Sequence, residues 1–466
     1  MADIRKPSIA DEKVEVINDT AGNHIDAVAE KKLLRKCDLY VLPPLFVLFL
    51  LAFLDRTNIG NARIQGLEAD LDMHNNDYNI ALFIFFIPYI LFEVPSNLVL
   101  KKLAPSTWLS LIMVLWGIAT VGMGLVKTFE GLIAMRVLLG FFEAGLFPGC
   151  VYLISMYYKR YELQWRLTLF FTASIIAGAF GGLLAFAIAK MDGIAGYSGW
   201  RWIFIIEGIV TVVAGFVTKF WCTDWPETAS FLTEDERALL IARLSADTGD
   251  AVMNRLDKRA ARRIFSDPKI YLGVLAYFGI VNTGYAGSFF VPTIVKELGY
   301  TSSMAQVRSI PIFIVATVTA VIAAWVSDRI RNRYWLTMLG LVVASTGYIM
   351  LLAQNNLSAG VKYFALFLIV PGGYITQPIV LVWMSNLVSG GIVASNVFFK
   401  SEAPKYPTGY GVSLGMLWIC GAACTAMFFL VKIENKKRDR GERDWRLEEP
   451  DADNLGDDHP HFRLTT

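Results

Sequence analysis

Charge is scarce in this chain. Asp, Glu, Lys and Arg make up 18% of its 466 residues against 55% hydrophobic, and the mean hydropathy is +0.47. A soluble protein of this length carries more charge and shorter apolar runs, so a water-soluble main body is excluded. Five cysteines (Cys37, Cys150, Cys222, Cys420, Cys424) show no metal-ligand spacing and fall mostly within apolar stretches. They read as small buried residues, not as a disulfide framework. No Walker loop, zinc spacing or catalytic triad is present, so ATP-driven pumping and enzymatic chemistry lack support, and no cofactor or metal is expected. The opening residues MADIRKPSIADEKVEVINDT have no apolar core, so they do not read as a cleaved signal peptide. The first hydrophobic helix is expected to act as the targeting signal.

What the chain has instead is a series of windows of about 20 residues with one charge or none, the mark of membrane-spanning helices. Residues 1–36 read as a disordered polar arm closed by Lys31-Lys32 and Arg35-Lys36. A first span is expected from about Tyr40 into Asp55, then a polar connector over 57–77. Further spans are expected over 78–100 (broken by Pro88 and Pro95), 106–126, 130–156, 167–189 and 200–221, completing a first bundle of six over 37–222. Residues 223–268 are polar: Thr233 and Glu236 predict a capping box for an amphipathic helix, and Arg255, Lys258, Arg259, Arg262 and Arg263 make the remainder basic. That basic stretch is suited to anionic lipid, and without aromatic interleaving it is no nucleic-acid site. The rhythm then repeats over 269–295, 305–327, 335–353, 362–386 and 408–431, a second bundle within 269–432, before a charged tail over 433–466.

Lysine and arginine set the orientation. Alternate connections place the N-terminal arm, Lys101-Lys102, Lys159-Arg160, the central insertion, Arg329 to Arg333 and the tail Lys436 to Arg440 on one side. Both termini are therefore expected in the cytoplasm, with an even number of spans. One span is short. Between 386 and 408 only about a dozen apolar residues stand where roughly 20 are needed, so an eleventh helix is expected only near 388–399. Either two helices form a strained short hairpin, or roughly two dozen residues are missing through splicing or gene annotation, and the loss is favoured.

The stretch Arg136-Val-Leu-Leu-Gly140-Phe-Phe-Glu143-Ala-Gly145-Leu-Phe-Pro148-Gly149 holds the chemistry. Arg136 and Glu143 lie two helical turns apart and project from one face. Charges at membrane depth are costly, and those that persist usually line a water-filled path or a proton relay. The glycines leave that face without bulk for a neighbouring helix or a solute. With Asp55-Arg56 and Asn58 in the first span, the pattern suggests a proton-linked carrier of small anions.

These residues, with Phe53 to Asn61, Glu93-Val-Pro95-Ser-Asn97 and Asp328-Arg329-Ile-Arg331, resemble the anion:cation symporter branch of the major facilitator superfamily. More narrowly they are similar to the fungal allantoate permease family, which includes nicotinate, pantothenate and biotin permeases. The resemblance covers about 38–435. It implies an all-α membrane protein with the major facilitator fold: two six-helix bundles related by a pseudo-two-fold along the membrane normal, with the solute between them. Two departures stand out: the eleventh helix is truncated, and the basic loop after the second span is reduced to Lys101-Lys102.

The expected function is import of a small organic anion with protons at the plasma membrane, by a chain that works as a monomer. Export of a secondary metabolite, or an inactive or sensing protein, are the alternatives. Asp55, Glu143 and Arg136 are the candidates for proton coupling, since a carboxylate in a low-dielectric cavity beside an arginine can change protonation when a solute enters. A closed set of structural ion pairs is the other reading. Arg56 is the candidate carboxylate clamp because its guanidinium is a planar two-pronged donor, with snorkelling to the interface as the alternative. Tyr89 resembles a substrate-lining tyrosine of the family, or else packs in the core. Asn282 and Tyr285 share a helix face beside Gly284 and Gly287, a reasonable solute contact. Glu93 is expected to cap or pair near the inner end of its helix, and Glu207 to anchor helices together. Asp328, Arg329 and Arg331 are expected to latch the inner gate, or simply to anchor the chain by positive charge.

Overall fold

The computed structural model describes residues 27–74, 76–248, 262, 266–330, 332–383, 405–448, 455 and 458–464. Among the described residues eleven helices are long and apolar enough to cross a membrane. They are α1 (Ala27–Ile64), α2 (Asp77–Leu100), α3 (Pro105–Leu125), α4 (Phe129–Ser155), α5 (Arg160–Ile188) and α6 (Gly199–Trp221), then, after the amphipathic α7 (Glu234–Thr248), α8 (Pro268–Glu297), α9 (Ser302–Ile330), α10 (Arg333–Leu352), α11 (Ala359–Trp383) and α12 (Pro407–Asp439). The short span expected near 388–399 lies outside the described residues, as do Arg331, residues 1–26 of the arm and most of the basic stretch after α7.

Proline punctuates the long helices. α2 runs as Asp77–Phe83 and Phe86–Leu100, and α4 as Phe129–Glu143 and Leu146–Ser155. Each break lies four residues before a proline, at Ile84 before Pro88 and at Ala144 before Pro148. The ring cannot donate to that carbonyl and crowds it. Pro95, expected to break α2 as well, stays inside Phe86–Leu100 without interrupting it. The polar connector expected over 57–77 is partly helix: α1 continues to Ile64, because its polar residues find buried partners instead of water. Asn58 is fully buried and donates to Glu207 of α6.

The helices form two bundles. In the first, α3 packs along α6, and α1 against α5 and α6; in the second, α8 packs along α12 and α10 along α11. The halves meet where α5 runs beside α9 and α11, and where α1 meets α8. Gly60 of α1 lies against the Phe289 carbonyl of α8, at the end of α1 remote from α7.

The capping box is present as expected. Thr233 N donates to Glu236 Oε2 at 3.0 Å, and Glu236 N to Thr233 Oγ1 at 3.3 Å. α7 is also clamped to the first bundle. Arg243 is buried and donates to Glu30 Oε1 at 2.6 Å and to Glu162, while Lys36 Nζ reaches Glu236 Oε2 at 2.6 Å. These contacts hold the Arg243 guanidinium above its ordinary range and the Glu236 carboxyl below the usual carboxylate value. The tail folds back onto α12. Arg438 donates to the Phe462 carbonyl at 2.8 Å, and Glu434 pairs with Arg443 at 2.7 Å.

Candidate functional site

The site is organised by two consecutive residues of α1. One helical step turns the chain by about 100°, so neighbours face different elements. Arg56 faces the junction between the halves, where its guanidinium donates to Glu143 of α4 and to the Tyr285 hydroxyl of α8. Asp55 faces α3 and α6, where its Oδ2 accepts from Trp116 Nε1 at 3.0 Å and from Thr211 Oγ1 at 2.8 Å. The chain pairs its charges across helices and not within α1.

Arg56 opens onto a cavity of about 390 Å³. Its walls come from both halves: Phe49 and Phe53 of α1, Tyr89 of α2, Phe147 of α4, Phe171 and Ser174 of α5, Tyr277, Val281, Gly284 and Tyr285 of α8, and Tyr374 and Gln377 of α11. Among the described residues Arg56 is the only charged side chain in that wall. Its guanidinium carbon stands 5.0 Å, 4.9 Å and 5.7 Å from the ring centres of Phe85, Tyr89 and Tyr285, a cation on aromatic faces. Gly284 leaves room for the Gln377 amide: a Cβ there would lie 2.6 Å from Gln377 Oε1, so that side chain would have to turn aside. A lining that is mostly aromatic, with one cation among the described residues and a few hydroxyl and amide groups, suits a small planar anion.

Behind Arg56 lies the Arg136 to Glu143 face. Glu143 is fully buried; one carboxylate oxygen takes Arg56, and Oε2 has no hydrogen-bond partner among the described residues. Arg136 is also fully buried and does not pair with Glu143. Its Nε donates to the Ala81 carbonyl of α2 at 3.0 Å, and its guanidinium carbon stands 5.2 Å from the ring centre of Phe85. Gly140, between the two, lets α2 and α4 touch: a Cβ there would sit 2.1 Å from the Phe85 carbonyl oxygen.

Of the residues singled out in the sequence, Arg56, Tyr89, Tyr285, Glu143 and Arg136 gather around this cavity. Asn282 does not: three residues before Tyr285 on α8, it donates to Ser413 Oγ of α12 at 2.9 Å, away from the cavity wall. Asp55 lies on the opposite face of α1. Glu93, expected to cap or pair, is buried in α2 and makes no ion pair among the described residues. Glu207 does tie helices together, through Asn58. In the proposed latch, Arg329 lies over the Trp325 ring at 4.5 Å from its centre. Tyr277, Tyr374, Gln377, Ser174 and the phenylalanines of α1, α4 and α5 escape sequence reading, because aromatic residues in apolar spans look like ordinary packing.

Comparison with known proteins follows the same lines. The family model described as Major Facilitator Superfamily matches residues 45–401. "Uncharacterized transporter C1002.16c" of Schizosaccharomyces pombe is 35% identical over 458 aligned positions, covering 92% of this chain and 91% of the relative. That alignment is longer than the aligned share of the 466-residue chain, so this chain carries gaps against it. "MFS-type transporter cnsO" of Penicillium expansum is 35% identical, covering 95% of this chain and 92% of its own. "High-affinity nicotinic acid transporter" of Saccharomyces cerevisiae is 28% identical, covering 93% and 84%. Among solved structures, an inward-facing bacterial homologue of the human lysosomal transporter Spinster superposes with a TM-score of 0.57 at 17% identity, covering 84% of this chain and 96% of that one. The xylose transporter XylE of E. coli, partially occluded and inward open, gives 0.56 at 15% identity, covering 85% and 97%.

Proposed function

We propose that this chain, which belongs to the Major Facilitator Superfamily and is a multi-pass membrane transporter, imports a small planar organic anion of the nicotinate kind together with protons across the plasma membrane. The observation that carries the proposal is Arg56, the one cation among the described residues of an aromatic cavity between the two halves, neutralised by Glu143 from behind. A solute carboxylate entering the cavity competes with Glu143 for the same guanidinium, which binds carboxylates in planar, two-pronged fashion. Two carboxylates against one arginine would leave an uncompensated charge in a buried site, which is strongly unfavourable. A proton on Glu143 removes that charge, so anion and proton load together and leave together.

The aromatic faces of Phe53, Tyr89 and Tyr285 favour a flat ring attached to the carboxylate. The nicotinic acid transporter relative supports the same class of solute. Asp55 and Arg136 take part in coupling, Arg136 by fixing α4 to α2 behind the Arg56–Glu143 pair. Asn282 supports the solute helix through α12. Asp328, Arg329 and Arg331 belong to the gate at the end where α9 meets α10, and both termini face the cytoplasm.

The test is uptake of labelled nicotinate into proteoliposomes holding the purified full chain, under an inwardly directed proton gradient. Nicotinate should accumulate above its outside concentration and collapse when the gradient is dissipated. Glu143→Gln, which cannot exchange a proton, should remove the gradient-driven accumulation. Accumulation by Glu143→Gln equal to the parent's would overturn the coupling role. Loss of preloaded nicotinate against its gradient would reverse the direction.

A further inference from the structure

We infer that Glu207 is a second proton-binding residue of the transport cycle, held as a neutral acid by Asn58 on the side of α1 turned away from the solute cavity. The inference rests on the proton-linked reading above and extends it to a residue outside the cavity. Asn58 and Glu207 are 0% and 6% exposed. Asn58 Nδ2 donates to Glu207 Oε2. The remaining atoms, Asn58 Oδ1 and Glu207 Oε1, are both buried and, among the described residues, both without a hydrogen-bond partner.

Each orphan atom is an acceptor when Glu207 is ionised, because a carboxylate donates nothing and an amide carbonyl only accepts. Buried acceptors without donors are rare in folded proteins. A single proton on Glu207 repairs both. The acid O–H then donates to the amide carbonyl while the amide N–H donates to the acid carbonyl, closing a two-bond ring.

The neighbouring carboxyl is served differently. Asp55, one turn earlier on α1, receives two donors on Oδ2, Trp116 of α3 and Thr211 of α6, while its Oδ1 has no hydrogen-bond partner among the described residues. Thr211 follows Glu207 by one turn of α6, so α6 offers a donor to Asp55 and an acid to Asn58. Asp55 is the titratable group bearing on Glu207, and among the described residues no Lys or Arg pairs with either carboxyl.

α1 carries Arg56 on its cavity face and Asn58 on the α6 face. A solute that draws Arg56 forward moves the helix that also holds the Asn58 amide. Separating Asn58 from Glu207 removes the partner of the acid proton, and Glu207 then releases it.

Two measurements on the purified full chain test this. The first is infrared difference spectroscopy between about pH 8 and about pH 5, a range that lies wholly above the value of about 4.3 of an unperturbed glutamate. At neutral pH the parent should show a protonated-acid carbonyl band that shifts in heavy water, is lost in Glu207→Gln, and moves to a less hydrogen-bonded frequency in Asn58→Leu. A band unchanged by both substitutions overturns the neutral acid. The second is steady-state accumulation of nicotinate under a gradient of about one pH unit, where each coupled proton concentrates the solute about tenfold. Glu207→Gln preserves the ring of hydrogen bonds, and its accumulation should fall by about tenfold with a flattened pH profile. Loss of the band with accumulation unchanged would make Glu207 a static acid and overturn its part in the cycle. Failure of the parent to accumulate nicotinate would sink the solute assignment, while the infrared result would still decide the state of Glu207.

Discussion

Consider Arg56→Met. The side chains of Arg56 and Glu143 are 4% and 1% exposed, so neither charge has water to fall back on. With the guanidinium gone, Glu143 Oε1 loses its donor, and Oε2 already lacks one. Removing one partner of a buried pair costs about 3–5 kcal/mol because the other charge is stranded, whereas removing both together costs far less. The reverse substitution, Glu143→Met, should cost less than Arg56→Met. Arg56 would keep the Tyr285 hydroxyl and the faces of Phe85 and Tyr89, while Glu143 would keep no hydrogen bond among the described residues and only the charge of Arg136, which does not pair with it directly.

The assay is equilibrium unfolding of the purified parent, the two single variants and Arg56→Met/Glu143→Met in mixed micelles, read as a double-mutant cycle. A loss of about 3–5 kcal/mol lowers the folded-to-unfolded ratio by about a hundredfold to several thousandfold. The double variant should recover most of the Arg56→Met loss. A double variant destabilised by the sum of the two singles would mean that the residues do not interact. The charge competition that underlies anion–proton coupling would then have no basis.

Gly140→Ala should weaken the contact of α2 with α4, since the added methyl meets the Phe85 carbonyl at 2.1 Å; overpacking of this kind costs about 1–3 kcal/mol, visible as a lower unfolding midpoint, and an unchanged midpoint would refute the close approach. Glu236 lies outside the spans and is held below its ordinary value of 4.5 mainly by Lys36 and Thr233. Its contribution is therefore present above 4.5 and is lost as pH falls through the lower folded value. Amide exchange in α7 should accelerate on acidification below that point, and Lys36→Ala should flatten the response. Sequencing the transcript across the codons for Trp383 to Asn396 should reveal roughly two dozen further residues, enough to complete a span of about 20. An uninterrupted junction would make the shortened span genuine.

What could be read from the sequence was what local chemistry dictates. The capping box of α7 requires only Thr233 and Glu236 three residues apart. The breaks at Ile84 and Ala144 follow from Pro88 and Pro148 on the same chain segment. Spans and charge asymmetry follow from windows of one helix at a time. Pairing does not. Arg56 and Glu143 are 87 residues apart, and Arg243 reaches Glu30 across 213. Nothing in either segment says which of Asp55 and Arg56 turns towards the cavity, because that depends on the rotation of α1 in the bundle. Asn282 and Tyr285 do share a side of α8, but three residues also rotate the chain by about 60° from full register, enough to put one against α12 and the other in the cavity wall.

The short span expected near 388–399, which lies outside the described residues, and the two-faced first helix bear on one another. Rocking of one bundle against the other needs helices on both sides of the cavity to carry load. In the described chain the halves meet through α5 with α9 and α11, and through α1 with α8. α1 carries Arg56 and Asp55 and touches Glu143 and Glu207. Arg56 takes Glu143 and Tyr285 on one face, and Asp55 and Asn58 take Trp116, Thr211 and Glu207 on the other. A displacement of α1 relative to α8 therefore changes the solute clamp, and a displacement relative to α6 changes the acid–amide pair. Because a helix moves as a rigid rod, the two events are linked without any chain of side chains between them. Coupling of this design needs α1 to move and tolerates variation in the wall opposite. That places the first consequence of a shortened eleventh span on closure of the cavity, and not on the proton groups, so a chain with the genuine short junction should still show the Glu207 acid band while failing to accumulate solute.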